Sequence, residues 1–456
     1  MRREHSPAPA APARAPLRDL GDTLRLIFFS LLLLSACSPP PSPHPLPFDP
    51  LPPAEAETTP EPFADVPGDD DGAGTEVSWS EPYAPRAAEE WRVDGAIRAP
   101  VVLLPGACAV RRATDCACAD DTILVASQSG TLTAFDASGT RLWEFQCGAP
   151  ISQQPVVARG EAIFVRCDDG TLAALAEADG VERWRVRRAA QAALVSPPAW
   201  SPWSGLLFLG DDGMAAIHRS GAVAWTHPDP GPFLGRPAVA GRVVVFAGLD
   251  RLVHGLDAET GEERWRRWVV GGVEGGVLEL RDGDVVVATL YGKVYEFALP
   301  DGRQRWETTV GELVRGQPAE GTDGTILVPV MDGALAGLDP ESGALLWGHG
   351  IPAAVLASPL PVEHPGADPA AALVVLGDRA GFVYELAYAA RIGVEADAGA
   401  YGPPRELWRF NVGLPIDARP ALAGASLLVG LEDGRVVRIV PGQPACAAAT
   451  TGGSAP

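Results

Sequence analysis

Apolar residues in this chain come in short β-branched or aromatic runs, separated by Gly and Asp-Gly punctuation. The stretch after Trp143 is representative. Residues 143–146, 155–157, 162–166 and 171–175 are candidate strands, with turn signals at Asp168, Asp169 and Gly170, then at Asp179 and Gly180. Short runs bounded by turn residues read as hairpin-connected strands. The pattern restarts at Trp143, Trp184, Trp225, Trp265, Trp306, Trp347 and Trp408, at spacings of 41, 41, 40, 41, 41 and 61 residues, and Trp91 stands 52 residues before Trp143. Four strands in about 40 residues, repeated, predict β-propeller blades.

Two sets of glycines carry the turns. Gly130, Gly170, Gly213, Gly292, Gly333, Gly381 and Gly434 each open a third strand, and Asp250-Arg251 replaces the signal in one unit. These read as two-residue type I′ turns, which need positive φ at both central positions. Gly139, Gly180, Gly221, Gly261, Gly302 and Gly343 stand four residues or so before a Trp and predict a second tight turn feeding the outer strand.

Turn signals and tryptophans both count to eight. The unit from Trp408 to about residue 440 supplies three strands, and residues 90–93 supply its missing outer strand. Sealing a ring with strands from both chain ends removes edges that would aggregate. The expected fold is therefore all-β: an eight-bladed propeller of four-stranded antiparallel blades over residues 79–445. Insertions interrupt the first blade at 104–120 and the seventh at 388–405, and insertions in repeat arrays map to loops, often on a binding face.

The N-terminus changes the picture. Five arginines between Arg2 and Arg25 precede an apolar run over 26–36, then Cys37. Eleven apolar residues are too few for a bilayer, which needs roughly 20, and fit an export signal. Leu34, Ser35, Ala36 and Cys37 resemble the bacterial lipobox, which implies cleavage after residue 36 and acylation of Cys37. Ser38 in place of Asp resembles the outer-membrane sorting default. Residues 37–78, rich in Pro and acids, cannot bury enough surface to fold and are expected to form a tether; 446–456 are expected to be a disordered tail. The net charge is −22, and removing 1–36 takes away five Arg and three acids, leaving −24. Such acidity argues against nucleic acid and favours a soluble, monomeric propeller.

Six cysteines remain after Cys37. An even number in an exported chain favours disulfides over metal or catalysis. Cys147 and Cys167 fall in one repeat on adjacent expected strands and are paired first. Cys108, Cys116, Cys118 and Cys446 fall in the first insertion and the tail. No zinc-ribbon or haem spacing occurs, the histidines are scattered, and Gly271–Gly276 precedes no helix pattern, so it reads as a connector and not a phosphate loop. No metal site and no catalytic set is expected. Two arginine groups, Arg185, Arg187 and Arg188, and Arg264, Arg266 and Arg267, read as solvated outer-strand charges that deter edge pairing, with an acidic partner as the alternative.

The stretches from Gly255 to Trp265 and from Gly337 to Trp347 resemble the docking motif of pyrroloquinoline-quinone (PQQ) repeat propellers, Ala-x-Asp-x-x-Thr-Gly-x-x-x-Trp. Ala174 to Trp184 and Glu296 to Trp306 are looser copies. No Asp follows any of these tryptophans, unlike WD repeats. The resemblance implies that Trp91, Trp143, Trp184, Trp225, Trp265, Trp306, Trp347 and Trp408 are structural, wedged against neighbouring blades, with each indole N–H needing a partner once buried.

Two functional classes share such a fold, and fold alone does not choose between them. Quinoprotein dehydrogenases resemble this chain in repeats and blade count. That family adds a vicinal cysteine pair over PQQ, a calcium held by Glu, Asn and Asp, and cations for the quinone carboxylates. This chain has no adjacent cysteines and a single Asn, Asn411, and no cation cluster can be assigned to the channel. PQQ and calcium are therefore not expected. The second class, the BamB-like propeller lipoproteins of outer-membrane barrel assembly, resembles it in lipobox, tether and repeats. That resemblance implies a non-catalytic, membrane-anchored scaffold facing the periplasm, docking a protein partner through loops on one propeller face. A propeller binding another envelope protein or a polysaccharide is a third reading.

Overall fold

The computed structural model describes residues 85–105, 121–188, 196–211, 213–228, 232–363, 370–390, 402–424 and 426–440. All belong to one unit, Pro62–Pro456. Every regular element among them is a strand, and the strands form eight four-stranded antiparallel sheets, as expected. Seven sheets are meanders of consecutive strands. Blade one, for example, runs from an innermost Val102–Leu104 through Thr122–Ala126 and Thr131–Asp136 to an outermost Arg141–Gln146. Blade eight combines Ala421–Ala423, Ser426–Gly430 and Arg435–Val440 with Arg86–Arg92 from the other end of the chain; Trp91 pairs with Val436 and Glu90 with Val437. The ring is sealed by its own termini.

Strand composition follows from position in the blade. In blade two, Ala162–Arg166 and Thr171–Leu175 are buried at every residue, because a neighbouring blade covers each face. The outermost Glu182–Arg187 alternates exposed and half-buried residues. Successive residues of one strand serve opposite boundaries. Ile123 and Val125 pack with Leu428 and Val436 of blade eight, whereas Leu124 and Ala126 pack with Ile163 and Val165 of blade two. Eight such clusters, one per boundary, run around the ring. Each fully buried Val, Leu or Ile contributes about 1.5–3 kcal/mol.

Six of the tryptophans join blades by covering the turn glycine of the next blade. A Cβ on Gly139 would stand 3.2 Å from Trp91, on Gly221 3.1 Å from Trp184, and on Gly261 and Gly343 2.5 Å from Trp225 and Trp306. Trp143 and Trp265 cover Gly180 and Gly302 in the same way. Indole N–H groups of Trp184, Trp225 and Trp306 donate to Arg219 O (2.7 Å), Ala258 O (3.1 Å) and Pro340 O (3.0 Å) in those turns. Those of Trp91, Trp143, Trp265 and Trp347 are buried with no acceptor in reach, so the expected partner is found for only part of the set. Trp347 meets the Tyr388 ring at 5.0 Å, and Trp408 packs between blades seven and eight.

Two expectations need correction. Gly130, Gly170, Gly292, Gly381 and Gly434 do not close type I′ turns. Gly130 N–H donates to Ser127 O (3.1 Å) and Ser127 N–H to Thr131 O (3.0 Å), while only Gly130 in that loop has positive φ. This is a three-residue loop, a type I turn followed by a left-handed residue. Among the described residues Arg251, at φ 68°, is the one non-glycine with positive φ, at the site where glycine is replaced. Second, Cys147 and Cys167 are bonded, with Cα atoms 6.4 Å apart, but not within a blade. Cys147 follows the outermost strand of blade one and Cys167 the second strand of blade two, so the bond crosses a boundary.

Candidate functional site

One face of the propeller carries the turns between second and third strands together with the connectors between blades. In connector 147–155, Ile151 N–H donates to Ser127 O in the turn of blade one (3.1 Å), and Pro150 O accepts from Asp168 N–H in the turn of blade two (2.9 Å). Val273 N–H to Gly248 O (3.0 Å) and Leu290 N–H to Gly272 O (2.8 Å) repeat the arrangement between blades four and five. These connectors thus bond the turns on either side of them. Side chains on this turn face stand on a backbone-bonded frame.

Both insertions open on the opposite face. Residues 104–120 leave between Val102–Leu104 and Thr122–Ala126, and 388–405 between Phe382–Ala389 and Arg405–Asn411. The ring's end residues Arg86 and Val440 pair with each other on that face. Most of both insertions lies outside the described residues, as do the signal segment 1–36, tether 37–78, tail 446–456, Cys37, Cys108, Cys116, Cys118 and Cys446.

Exposed aromatics mark two places. On the turn face, Trp268 at the end of blade four's outermost strand is 51% exposed, and Tyr291 in blade five's turn is 65% exposed. Connector Gly271 lies against Tyr291: a Cβ there would be 3.1 Å from the tyrosine Cβ. On the other face Trp203 is 53% exposed, with the Arg242 guanidinium 5.3 Å above its ring. A groove of about 480 Å³ between blades two and three is lined by Val186, Arg187, Met214, Val223 and His227, among others.

The outer-strand arginines are not simply solvated, which corrects their expected role. Arg185 donates to Cys147 O (2.9 Å) and Gln146 O (3.0 Å) of blade one and pairs with Glu182. Arg267 donates to Gly302 O (2.7 Å) and Asp301 O (2.9 Å) of blade five. Arg264 and Arg266 pair with Asp257 and Glu263 on their own blade, and Arg187 with Asp169. Arg185 and Arg267 are clamps between blades.

Carboxylates gather at one point that sequence reasoning missed. Glu296 occupies the position opposite Trp306 where the motif has a small residue, as Gly255 stands opposite Trp265. Its oxygens come together with those of Asp282 and Asp284. Arg305 Nε stands 2.5 Å from Asp284 and 3.6 Å from Glu296, so a side-chain cation already balances part of this charge. Burial pushes the Glu296 carboxyl up to about 7, against the pull of Arg305. The only local clue was that this copy of the motif begins with Glu.

Cations also converge where none were assigned. Arg236 and Arg419 each immediately precede the Pro that leads into an innermost strand, Ala238–Ala240 of blade four and Ala421–Ala423 of blade eight. These blades face each other across the ring. Crowding by protein depresses both guanidinium pKa values, and the charge of Arg419 depresses that of Arg236 further. Asn411, the single Asn of the chain, lies on the outermost strand of blade seven, away from the axis.

A family model described as outer membrane protein assembly factor BamB matches residues 83–218 and 210–441. Among solved structures, BamB from Moraxella catarrhalis aligns with a TM-score of 0.59 at 17% identity, covering 78% of this chain and 98% of that one. The C-terminal WD40 domain of Sif2 aligns at 0.59 and 12% identity over 78% and 98%, and the designed Ika8 protein at 0.58 and 13% over 76% and 96%. A serine/threonine-protein kinase, AfsK of Streptomyces griseus, is 32% identical over 161 residues, 32% of this chain and 20% of the kinase; the chain thus spans about a fifth of that relative. The structural likenesses carry the fold alone, but the family model covers all eight blades, and the chain belongs to the BamB family of PQQ-repeat propellers.

Proposed function

We propose that this chain is a lipid-anchored, periplasm-facing propeller that acts as a non-catalytic scaffold in outer-membrane protein assembly, docking its protein partner on the turn face at the boundary of blades four and five. The observation that carries this reading is the pair Trp268 and Tyr291, exposed on a backbone-bonded frame. Large aromatics left in solvent on a rigid surface are typical binding anchors. Family membership supports the assembly role, and the lipobox at Cys37 supports the anchor.

The dehydrogenase reading gains one feature, the arginines Arg236 and Arg419 on opposed blades, but lacks the others it needs. Asn411 is remote from the axis, the cysteines that form a bond cross a blade boundary, and the carboxylates beside Glu296 are engaged by Arg305. The test is recovery of partners from detergent-solubilised envelopes with wild-type chain, Trp268→Ala/Tyr291→Ala and Cys37→Ala. A specific envelope partner lost in the double variant supports the scaffold. PQQ- and calcium-dependent dye reduction by the wild type would replace it with the enzyme.

A further inference from the structure

We propose that the axis of the propeller holds a compact polyanion, a molecule bearing phosphate or several carboxylates, bridged between Arg236 of blade four and Arg419 of blade eight. Topology places both residues at the mouth of the channel, each entering an innermost strand, on opposed blades. Arg236 is half-buried and Arg419 exposed, so solvent reaches both although protein crowds them. That combination is what lining a water-filled tunnel produces.

Neither has a carboxylate partner among the described residues. This is unusual here, because acids outnumber bases 58 to 36. Acids of the adjoining connectors are already engaged: Glu274 with Arg315 (2.9 Å) and Asp417 with Arg379 (3.2 Å). Two like charges facing one another in a confined space repel, and an anion between them removes that cost while gaining charge-assisted hydrogen bonds to both forks. Both guanidinium groups reach one ligand only along the axis, which selects a compact molecule.

The frame around Arg236 is rigid. Its carbonyl accepts from Val277 N–H (3.0 Å), and a Cβ on Gly276 would lie 2.6 Å from Arg236 N. The glycines at 275 and 276 let the connectors of blades four, five and six touch backbone to backbone, since a Cβ on Gly275 would meet Gly316 O at 2.6 Å. Gly276, at φ 93°, is packed directly against the Arg236 backbone, so a larger residue there would displace the arginine. The glycine-rich connector 271–276 thus fixes the backbone that carries Arg236.

The test is calorimetric titration of the full chain with pyrophosphate and, separately, citrate, at ionic strength fixed with sodium chloride. Saturable one-to-one binding of either, weakened at least about tenfold by Arg236→Gln and by Arg419→Gln and unchanged by Arg303→Gln, is expected. Pyrophosphate against citrate tells phosphate from carboxylate chemistry. Should the Gln variants fail to fold, the thermal midpoint of the wild type provides the readout: either anion should raise it above matched chloride. Heats that do not saturate, a shift equal to that of chloride, or binding retained in the double variant would overturn the proposal.

Discussion

Trp225 of blade three lies on Gly261 of blade four, and its indole N–H donates to Ala258 O, 3.1 Å away in the same turn. The two residues explain each other. Gly261 has φ 73°, and a Cβ there would stand 2.5 Å from the indole, so both its backbone and its neighbour require glycine.

Gly261→Ala is therefore expected to cost about 2–3 kcal/mol, from overpacking and positive-φ strain. Trp225→Ala should cost about 3–5 kcal/mol. Urea denaturation checks both. Because the residues form one contact, the double variant should lose less than the sum; full additivity would show that the turn and the ring do not act together.

The bond between Cys147 and Cys167 closes a loop with sequence separation 20 across the boundary of blades one and two. Loop closure of that size is worth about 3 kcal/mol. Cys147→Ala/Cys167→Ala should lower the unfolding free energy by about that amount, and in the wild type these two thiols should resist alkylation until reductant is added. Rapid alkylation without reductant would contradict the bond.

Glu296 gives the fold a pH signature. Its carboxyl is raised to about 7 in the folded protein, chiefly by burial, against 4.5 for an ordinary glutamate. Over that interval the folded state binds more protons than the unfolded one, so this contribution is full below about 4.5 and is lost as pH rises to about 7. Glu296→Gln should remove the dependence and stabilise the protein near pH 8 by on the order of 1–3 kcal/mol. Thermal midpoints from pH 5 to 8 decide it; parallel curves for variant and wild type would refute the assignment.

Closure predicts the effect of trimming. Removing residues through Arg92 takes the outermost strand from blade eight, along with the Arg438–Glu89 pair, and leaves the Arg435–Val440 edge bare. An unpaired edge over apolar side chains invites association. The shortened chain should scatter light at concentrations where the full chain does not, and adding a peptide of residues 85–93 should reduce the scattering.

Blade number and closure were legible because repetition forces each blade to solve the same packing problem with Trp and Gly. The turn type was not, since a Gly after Asp or Ser suits both a two-residue and a three-residue loop. Cys147 and Cys167 seemed to share a blade because the repeat was counted from the tryptophan, which sits on an outermost strand, while blades begin at the innermost one. Arg236 and Arg419 lie 183 residues apart. Only the closed ring sets them opposite one another, so no local pattern announces the pair. Glu296 passed for a loose copy of a motif, and burial alone gives it meaning. Trp268 and Tyr291 follow the strand and turn patterns of their neighbours, and their exposure depends on the connector geometry around Gly271.

The central claim, that the turn face receives the partner, is tested most directly by photo-crosslinking in intact envelopes from one position on each face. A crosslinker in place of Tyr291 should yield a discrete adduct with an envelope protein, and one in place of Trp203 on the opposite face should not. Adducts from position 203 alone would place the partner on the insertion face and contradict the assignment.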